Sequence, residues 1–183
     1  VGVPCHPVVP RWAIKSVEAL ALFRSGAVDR FDLDDEAIAM ACASHFGETI
    51  HIDVVTRTLA KLGLSADALE CGAHPPTSAV ARKGLAEAGA APSSLHNNCS
   101  GKHAGMLADA LALGVDPKGY VTREHPVQKL VRSCVEDVIG TNLTTEACGT
   151  DGCTSPTWAA PLPAFATALA RMATAHAPPD RLA

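Results

Sequence analysis

Fourteen glycines and thirteen prolines divide this chain of 183 residues into short segments. Most segments repeat apolar residues at helical spacing and end at a glycine, which is a common helix stop. The pattern predicts helices over residues 13–24, 36–44, 49–62, 77–88, 100–113, 126–139 and 163–176. The only strand that we predict covers residues 143–147, ahead of the loop 148–153. The segments therefore predict a mostly α chain.

The composition narrows the functional classes. Hydrophobic residues make up 48%, charged residues 19%, and the net charge is −4, which argues against disorder and gives no basic surface for nucleic acid. No apolar run approaches the roughly 18 residues that span a membrane. The chain starts at Val1 without a signal-peptide pattern, so we expect a cytoplasmic protein. Prolines near both ends suggest a fragment that is cut at each end.

Cysteine is frequent, and the number is odd. A complete set of disulfides would leave one thiol over, and no secretion signal accompanies them. Buried free thiols, packed as small apolar groups, are therefore the default interpretation. The seven positions are Cys5, Cys42, Cys71, Cys99, Cys134, Cys148 and Cys153.

The strongest local cluster is residues 96–103, which read His-Asn-Asn-Cys-Ser-Gly-Lys-His. It leads into a predicted helix, whose N-terminal N–H groups favour a thiolate or an anion. Cys99 and Lys102 are three positions apart and share one helix face. A capping loop with Ser100 and a buried thiol remains an alternative, and the glycine spacing of a phosphate loop is missing.

A second cluster, residues 148–153, places glycines on both sides of a carboxylate. Gly149 and Gly152 permit tight turns that would expose Asp151. The thiols of Cys148 and Cys153 could form a reversible disulfide, serve as half of a metal site, or pack in the core. Their spacing alone favours the core.

Two further positions gain meaning only in combination. Ser44 precedes His45, but neighbouring side chains on a helix diverge, and a nucleophile–base pair needs about 2.6–3.2 Å of approach. Alone, Ser44 indicates the end of a helix. Lys15 lies on the first turn of a predicted helix, where a lysine is ordinarily solvated.

Together, the clusters resemble the L-asparaginase II family over about residues 11–171. Six motifs follow in the family's order and spacing. They are Arg-x-Ala-Ile-Lys (11–15), Cys-Ala-Ser-His-x-Gly-Glu (42–48), Cys-Gly-x-His-Pro-Pro (71–76), His-Asn-Asn-Cys-Ser-Gly-Lys-His-Ala-Gly (96–105), His-Pro-Val-Gln (125–128) and Asp-Gly-Cys (151–153).

The resemblance implies a fold and an activity. Members have a serine-β-lactamase-like α/β fold and hydrolyse the side-chain amide of L-asparagine, giving L-aspartate and ammonia. This chain would supply the helical part of that fold with an incomplete sheet, as one truncated domain over 1–183 in which 1–10 match weakly. A small-molecule substrate is then the expected partner, with a homodimer as one arrangement and no nucleic acid or membrane.

The resemblance also implies residue roles. Zinc would be held by Cys99, Lys102 and Cys153, whose two sulfurs should then lie within about 4 Å of each other. Ser44 matches a supporting catalytic serine, Lys15 a dyad lysine, Asp151 a carboxylate near the metal, and Arg11 a substrate-binding arginine. Lys15, Ser44 and Asp151 should converge near Cys99.

One departure bears on activity. Trp12 stands where the family has its nucleophilic serine, and an indole N–H is no nucleophile. The lysine that partners the second serine lies beyond the end of this chain. The sequence therefore predicts ammonia release at background level. It also keeps open an alternative, a catalytically inactive zinc-binding remnant.

Overall fold

The computed structural model describes residues 6–175 as a set of packed helices with two small sheets. The predicted positions Cys5, His176, Pro178 and Pro179 lie outside this range. The helices are α1 Lys15–Glu18, α2 Leu20–Arg24, α3 Ala27–Arg30, α4 Asp35–Cys42, α5 Thr49–Lys61, α6 Ala79–Glu87, α7 Ser100–Ala112, α8 Pro126–Ile139 and α9 Leu162–Thr174. Short 3-10 helices cover Arg11–Ile14, Ala66–Ala68, Ser94–His96 and Thr145–Ala147. The mostly α prediction is confirmed.

The strands form two antiparallel pairs among the described residues. Strand β1 (Pro7–Val8) pairs with β4 (Ala160–Pro161), and β2 (Cys148–Thr150) pairs with β3 (Pro156–Trp158). In the second pair Cys148 lies opposite Trp158. The turn between β2 and β3 carries Asp151 and Cys153, so this hairpin delivers both residues to one place.

Most helix limits follow the sequence signals. Asp34 caps α4, because its carboxylate accepts the N–H of Ala37 at 2.9 Å. Helix α8 begins at Pro126 and ends at Gly140, whose φ of 68° is the left-handed conformation that glycine tolerates best. The predictions for residues 49–62, 77–88, 100–113 and 126–139 match α5 to α8 within two residues.

The prediction of one helix over 13–24 is wrong. Residues 11–14 form a 3-10 helix, and α1 and α2 are separated at Ala19, where the N–H of Leu22 bonds to the Ala19 carbonyl in a tightened turn. Both halves contact α8, but the bend adds a different partner to each, since α1 also contacts α4 while α2 also contacts α7. Apolar periodicity does not register such a change of partner.

The predicted strand at 143–147 is also wrong, because the strand begins later, at Cys148. The side chain of Glu136 accepts the N–H of Leu143 at 2.7 Å, and Arg132 donates to the Leu143 carbonyl. Both side chains belong to α8. They use the backbone groups that a sheet would need, and Thr145–Ala147 coils into a 3-10 turn.

Helix α7 lies at the centre of the described fold. It packs closely against α4, and a Cβ added at Gly101 would lie 2.4 Å from the carbonyl oxygen of Met40. Leu107 and Ala108 of α7 are almost fully buried. This contact fixes the N-terminal end of α7, with Cys99 and Lys102, beside the end of α4.

Within residues 6–175, no helix combines the length and the apolar character needed to cross a membrane.

Asp109, on the buried face of α7, makes stability depend on pH. Its carboxyl is 2% exposed and accepts a hydrogen bond from Ser25 Oγ at 2.7 Å. Burial raises the pKa of Asp109 to about 7, against the smaller opposite effect of Ser25. The folded state thus holds its proton more tightly than the unfolded chain, where aspartate titrates near pH 4. The resulting stabilisation is full below about pH 4 and is lost as pH rises through about 7.

We therefore expect Asp109→Asn to raise the free energy of unfolding at pH 8.5 by at least about 2 kcal/mol, and to change it little at pH 4. Urea unfolding at the two pH values measures this difference. Asp53→Asn on the exposed face of α5 is the matched control and should show no such pH-dependent gain. Equal effects of Asp109→Asn at both pH values would contradict a buried neutral carboxyl.

Candidate active site

Lys15, the first residue of α1, is buried, and its amine joins three segments of the chain. The side chain is 1% exposed. Its Nζ lies 2.8 Å from the Ala43 carbonyl oxygen, 2.8 Å from Ser44 Oγ and 3.3 Å from Cys99 Sγ. The expectation of a solvated lysine, drawn from its position on the helix alone, is therefore wrong.

Ser44 lies just beyond α4 and is exposed. Its hydroxyl nevertheless contacts the buried amine of Lys15. Either protonation state of Lys15 satisfies the contacts. A charged amine donates to Ala43, Ser44 and Cys99. A neutral amine donates to Ala43 and Cys99 and accepts the Ser44 hydroxyl through its lone pair. A proton could move between the two groups without movement of heavy atoms.

Asp151 lies in the turn after β2 and is 6% exposed. Its Oδ1 accepts from Arg11 Nε at 3.2 Å and from the Gly152 N–H at 2.7 Å. Cys153 Sγ lies 4.0 Å from the second oxygen, Oδ2. Asp151 thus connects the exposed guanidinium of Arg11 with the buried thiols.

Arg11 and Trp12 form the exposed side of the site. Arg11 has φ 49°, a left-handed conformation that is strained for a non-glycine residue. Its guanidinium lies 5.1 Å from the centroid of the Trp12 ring, in cation–π contact. Trp12 is 47% exposed. The indole and the guanidinium together border the open side of the cluster.

The thiols of Cys99 and Cys153 are buried and interact with each other. The interaction with Cys153 raises the pKa of Cys99, with burial acting in the same direction, and the interaction with Cys99 lowers the pKa of Cys153. The pair therefore holds one proton more readily than two or none. Lys15 contacts Cys99, and Cys153 contacts Asp151. Because the two thiols act on each other's pKa, these contacts bring Lys15 and Asp151 to one region of the fold.

Glu18 belongs to the same cluster, and the sequence reasoning missed it. Its Oε2 lies 3.6 Å from Lys102 Nζ, and both side chains are 4% exposed. Burial raises the pKa of Glu18. Burial alone would lower the pKa of Lys102, but the negative charges of Glu18 and of the thiol pair raise it above its ordinary value. The sequence does contain a signal for Glu18, because it lies three positions after Lys15 and therefore on the same face of the helix.

His103 is a second missed residue, and it supports the β2–β3 turn. Tyr120 Oη accepts the N–H of Glu70 and lies 2.7 Å from His103 Nδ1, to which it can donate its hydroxyl hydrogen. The opposite nitrogen, Nε2, then carries the hydrogen and faces Ser155 Oγ at 3.2 Å. Burial lowers the pKa of His103. A neutral, fully bonded histidine thus lies behind Cys153.

Within the described part of the chain, no three histidine, cysteine, aspartate or glutamate side chains come together closely enough to hold a metal ion. The three predicted zinc ligands are not of this kind, because they are two cysteines and the amine of Lys102.

Comparison with known proteins gives one clear relationship. The sequence pattern of the family described as L-asparaginase II matches residues 1–183. No curated protein matches the chain significantly. The family match covers every segment that contributes to the cluster around Lys15. The chain belongs to the L-asparaginase II family.

Proposed function

We propose that this chain hydrolyses the side-chain amide of L-asparagine, with Ser44 as nucleophile and Lys15 as its base. The observation that carries the proposal is the 2.8 Å contact between Lys15 Nζ and Ser44 Oγ. The hydroxyl of an exposed residue is thereby paired with a buried amine, as a serine–lysine mechanism requires. Family membership supports an asparagine-like substrate.

In this mechanism the neutral amine of Lys15 takes the Ser44 proton as Oγ attacks the amide carbon. The same proton then passes to the amide nitrogen, the C–N bond breaks and ammonia leaves. An aspartyl ester remains on Ser44. Water attacks the ester and gives its proton to Lys15, which returns it to Ser44 Oγ.

Arg11 supports recognition of an amino-acid substrate. Asp151 holds the guanidinium through Nε, and the side chain remains 56% exposed. A guanidinium fixed on one side can bind the α-carboxylate of asparagine with its remaining N–H groups. The bond to Asp151 thus holds the Arg11 guanidinium in one orientation.

The helical arrangement also supports a fold assignment. We propose that the described helices are the helical part of a serine-β-lactamase-like α/β fold, in one domain over residues 1–183. The supporting feature is a lysine on the first turn of a helix that faces a serine from the segment after a second helix.

A zinc-binding remnant without turnover is the second candidate. Trp12 favours it, because an indole occupies the position of the family's nucleophile. A permanently charged Lys15 would satisfy the same three contacts and could not act as a base.

Ammonia release separates the two candidates. The sequence alone predicts background activity because Trp12 replaces the family's nucleophile, whereas the Lys15–Ser44 contact supplies another nucleophile. On this proposal the wild-type chain should release ammonia from L-asparagine above the rate of buffer, and Ser44→Ala should lower that rate by at least about a thousandfold. Ser16→Ala, next to Lys15 but without contact to its amine, is the matched control and should keep the wild-type rate. Absence of ammonia release by the wild type, or equal rates in Ser44→Ala and wild type, would favour the remnant.

We also propose zinc as a cofactor, held by Cys99, Cys153 and Lys102. Two interacting thiols are good zinc donors, and an amine can join them once it loses its proton. The residues therefore fit the metal in their chemistry, with Glu18 as a neighbour of the amine. Bound zinc would supply a Lewis acid next to the amide.

Metal content tests this cofactor. Elemental analysis should find zinc in stoichiometric amount in the purified wild-type chain and a loss of at least about tenfold in Cys153→Ser, because a ligand is removed. Cys134→Ala, a buried thiol of α8, is the control and should retain the metal. Equal zinc in all three proteins would remove Cys153 from the ligand set.

A further inference from the structure

We propose that His45 is a positioning residue that fastens the segment 43–47, and with it Ser44, to the N-terminal end of α7. The inference rests on the proposed role of Ser44 as nucleophile. The family match gives this buried histidine no role.

His45 reaches α7 through both its backbone and its side chain. Its N–H donates to the Asn98 carbonyl at 3.1 Å. Its Nε2 lies 2.8 Å from Ser100 Oγ, and its Nδ1 lies 3.1 Å from the N–H of Gly47. The residue is 4% exposed, so water does not compete for these bonds.

The partners determine the tautomer. Because the N–H of Gly47 donates, Nδ1 must be the unprotonated acceptor, and Nε2 carries the hydrogen that is donated to Ser100. The Ser100 hydroxyl in turn donates to the Leu95 carbonyl at 3.0 Å. Every polar atom of the neutral imidazole is thus bonded. A second proton on the ring would face the N–H of Gly47 and break that bond.

Gly47 is fitted to this role. Its φ is 73°, and an added Cβ would lie 3.0 Å from Pro76 Cβ and 3.2 Å from the His96 carbonyl oxygen. Only glycine adopts this conformation in this space without strain. The turn directs the Gly47 N–H back to His45. With Lys15 bonded to Ala43 and Ser44, the short segment is held at both ends.

Burial and the basic neighbours of the ring keep it neutral. His51 of α5 stacks on His45 with centroids 5.3 Å apart, and Lys15 of α1 and His96 of the 3-10 helix Ser94–His96 also face it. Burial lowers the pKa of His45 to about 4, and these three basic neighbours act in the same direction. The bonds of the neutral ring therefore persist throughout neutral pH.

The test measures the reactivity of Ser44 directly. Phenylmethanesulfonyl fluoride labels an activated serine when Oγ attacks sulfur, fluoride leaves and the hydroxyl proton passes to the base, here Lys15. Peptide mass analysis gives the labelling rate at Ser44. We expect His45→Ala to lower this rate and the kcat for asparagine by about 10- to 100-fold, since a displacement of about 1 Å has that effect, with KM unchanged.

Two variants exclude a general loss of structure. His45→Asn restores an acceptor near the Gly47 N–H and should recover part of both rates. His51→Ala removes the stacked ring without a bond to segment 43–47 and should keep wild-type rates. Unchanged Ser44 labelling in His45→Ala would overturn the positioning role. Wild-type labelling of Ser44 without ammonia release would instead contradict the proposed function.

Nitrogen NMR of the imidazole gives a readout that a merely structural residue would not share. We expect the Nε2–H tautomer with a hydrogen-bonded, unprotonated Nδ1 from neutral pH down to about pH 5. The opposite tautomer, or titration near the ordinary histidine value of about 6.5, would overturn the assignment.

Discussion

Replacement of Lys15 by methionine is expected to lower asparagine hydrolysis by about 10²- to 10⁴-fold while the chain remains folded, since the variant loses a general base. Methionine is apolar and similar in length, so it suits a position that is 1% exposed. The variant leaves the Ala43 carbonyl without its donor, which should cost about 1–3 kcal/mol of stability. Steady-state kinetics and urea unfolding measure the two effects separately.

The variant Lys15→Arg distinguishes a role of Lys15 as a base from a role as a positive charge. Lys15→Arg keeps a cation, but a guanidinium stays protonated and cannot accept the Ser44 proton. We therefore expect Lys15→Arg to be as inactive as Lys15→Met. Lys118→Met, on the exposed surface, should keep the wild-type rate. Activity in Lys15→Arg would show that the position contributes charge alone.

Gly101→Ala should be the most destabilising single-methyl change that we identify in the described fold. The new Cβ would lie 2.4 Å from the Met40 carbonyl oxygen and 2.7 Å from its carbon. Both are backbone atoms, so α4 and α7 must separate. We expect a loss of about 3 kcal/mol or more in the free energy of unfolding, as for overpacked cores. Urea unfolding at neutral pH measures it.

Gly84 provides the matched control for this change. It also lies within a helix, α6, but no atom lies within 4 Å of an added Cβ. Gly84→Ala should therefore stabilise the chain by about 0.5–1 kcal/mol through the lower entropy of the unfolded state. A loss in Gly101→Ala no larger than the change in Gly84→Ala would contradict close contact between α4 and α7.

Local signals in the sequence predict most helices because the signals and the bonds involve the same residues. Asp34 caps α4, and Gly140 ends α8. The strand was misplaced because distant side chains decide it. Glu136 and Arg132 of α8 occupy the backbone groups of Leu143, and no pattern within 143–147 records that.

The site shows the same division. Family motifs name Lys15 and Ser44, but they assign the two residues to different pairs. Their 2.8 Å contact depends on the packing of α1 against α4. Glu18 and His45 were missed because each acquires its role from a partner in α7, namely Lys102 for Glu18 and Ser100 for His45.

The short sheet between β1 and β4 should be among the last contacts to form when the chain folds. Val8 pairs there with Ala160, and the nearby ion pair joins Arg11 to Asp151 across 140 positions of sequence. Closure of so long a loop is entropically costly and contributes few bonds, so it should form last and open first. Lys15 and Ser44 are only 29 positions apart and belong to the helical core. The amide hydrogen of Val8 in β1 should therefore exchange with solvent far sooner than those of α7. Arg11, which we assign to the substrate carboxylate, would then be released and recaptured while the serine–lysine pair stays assembled.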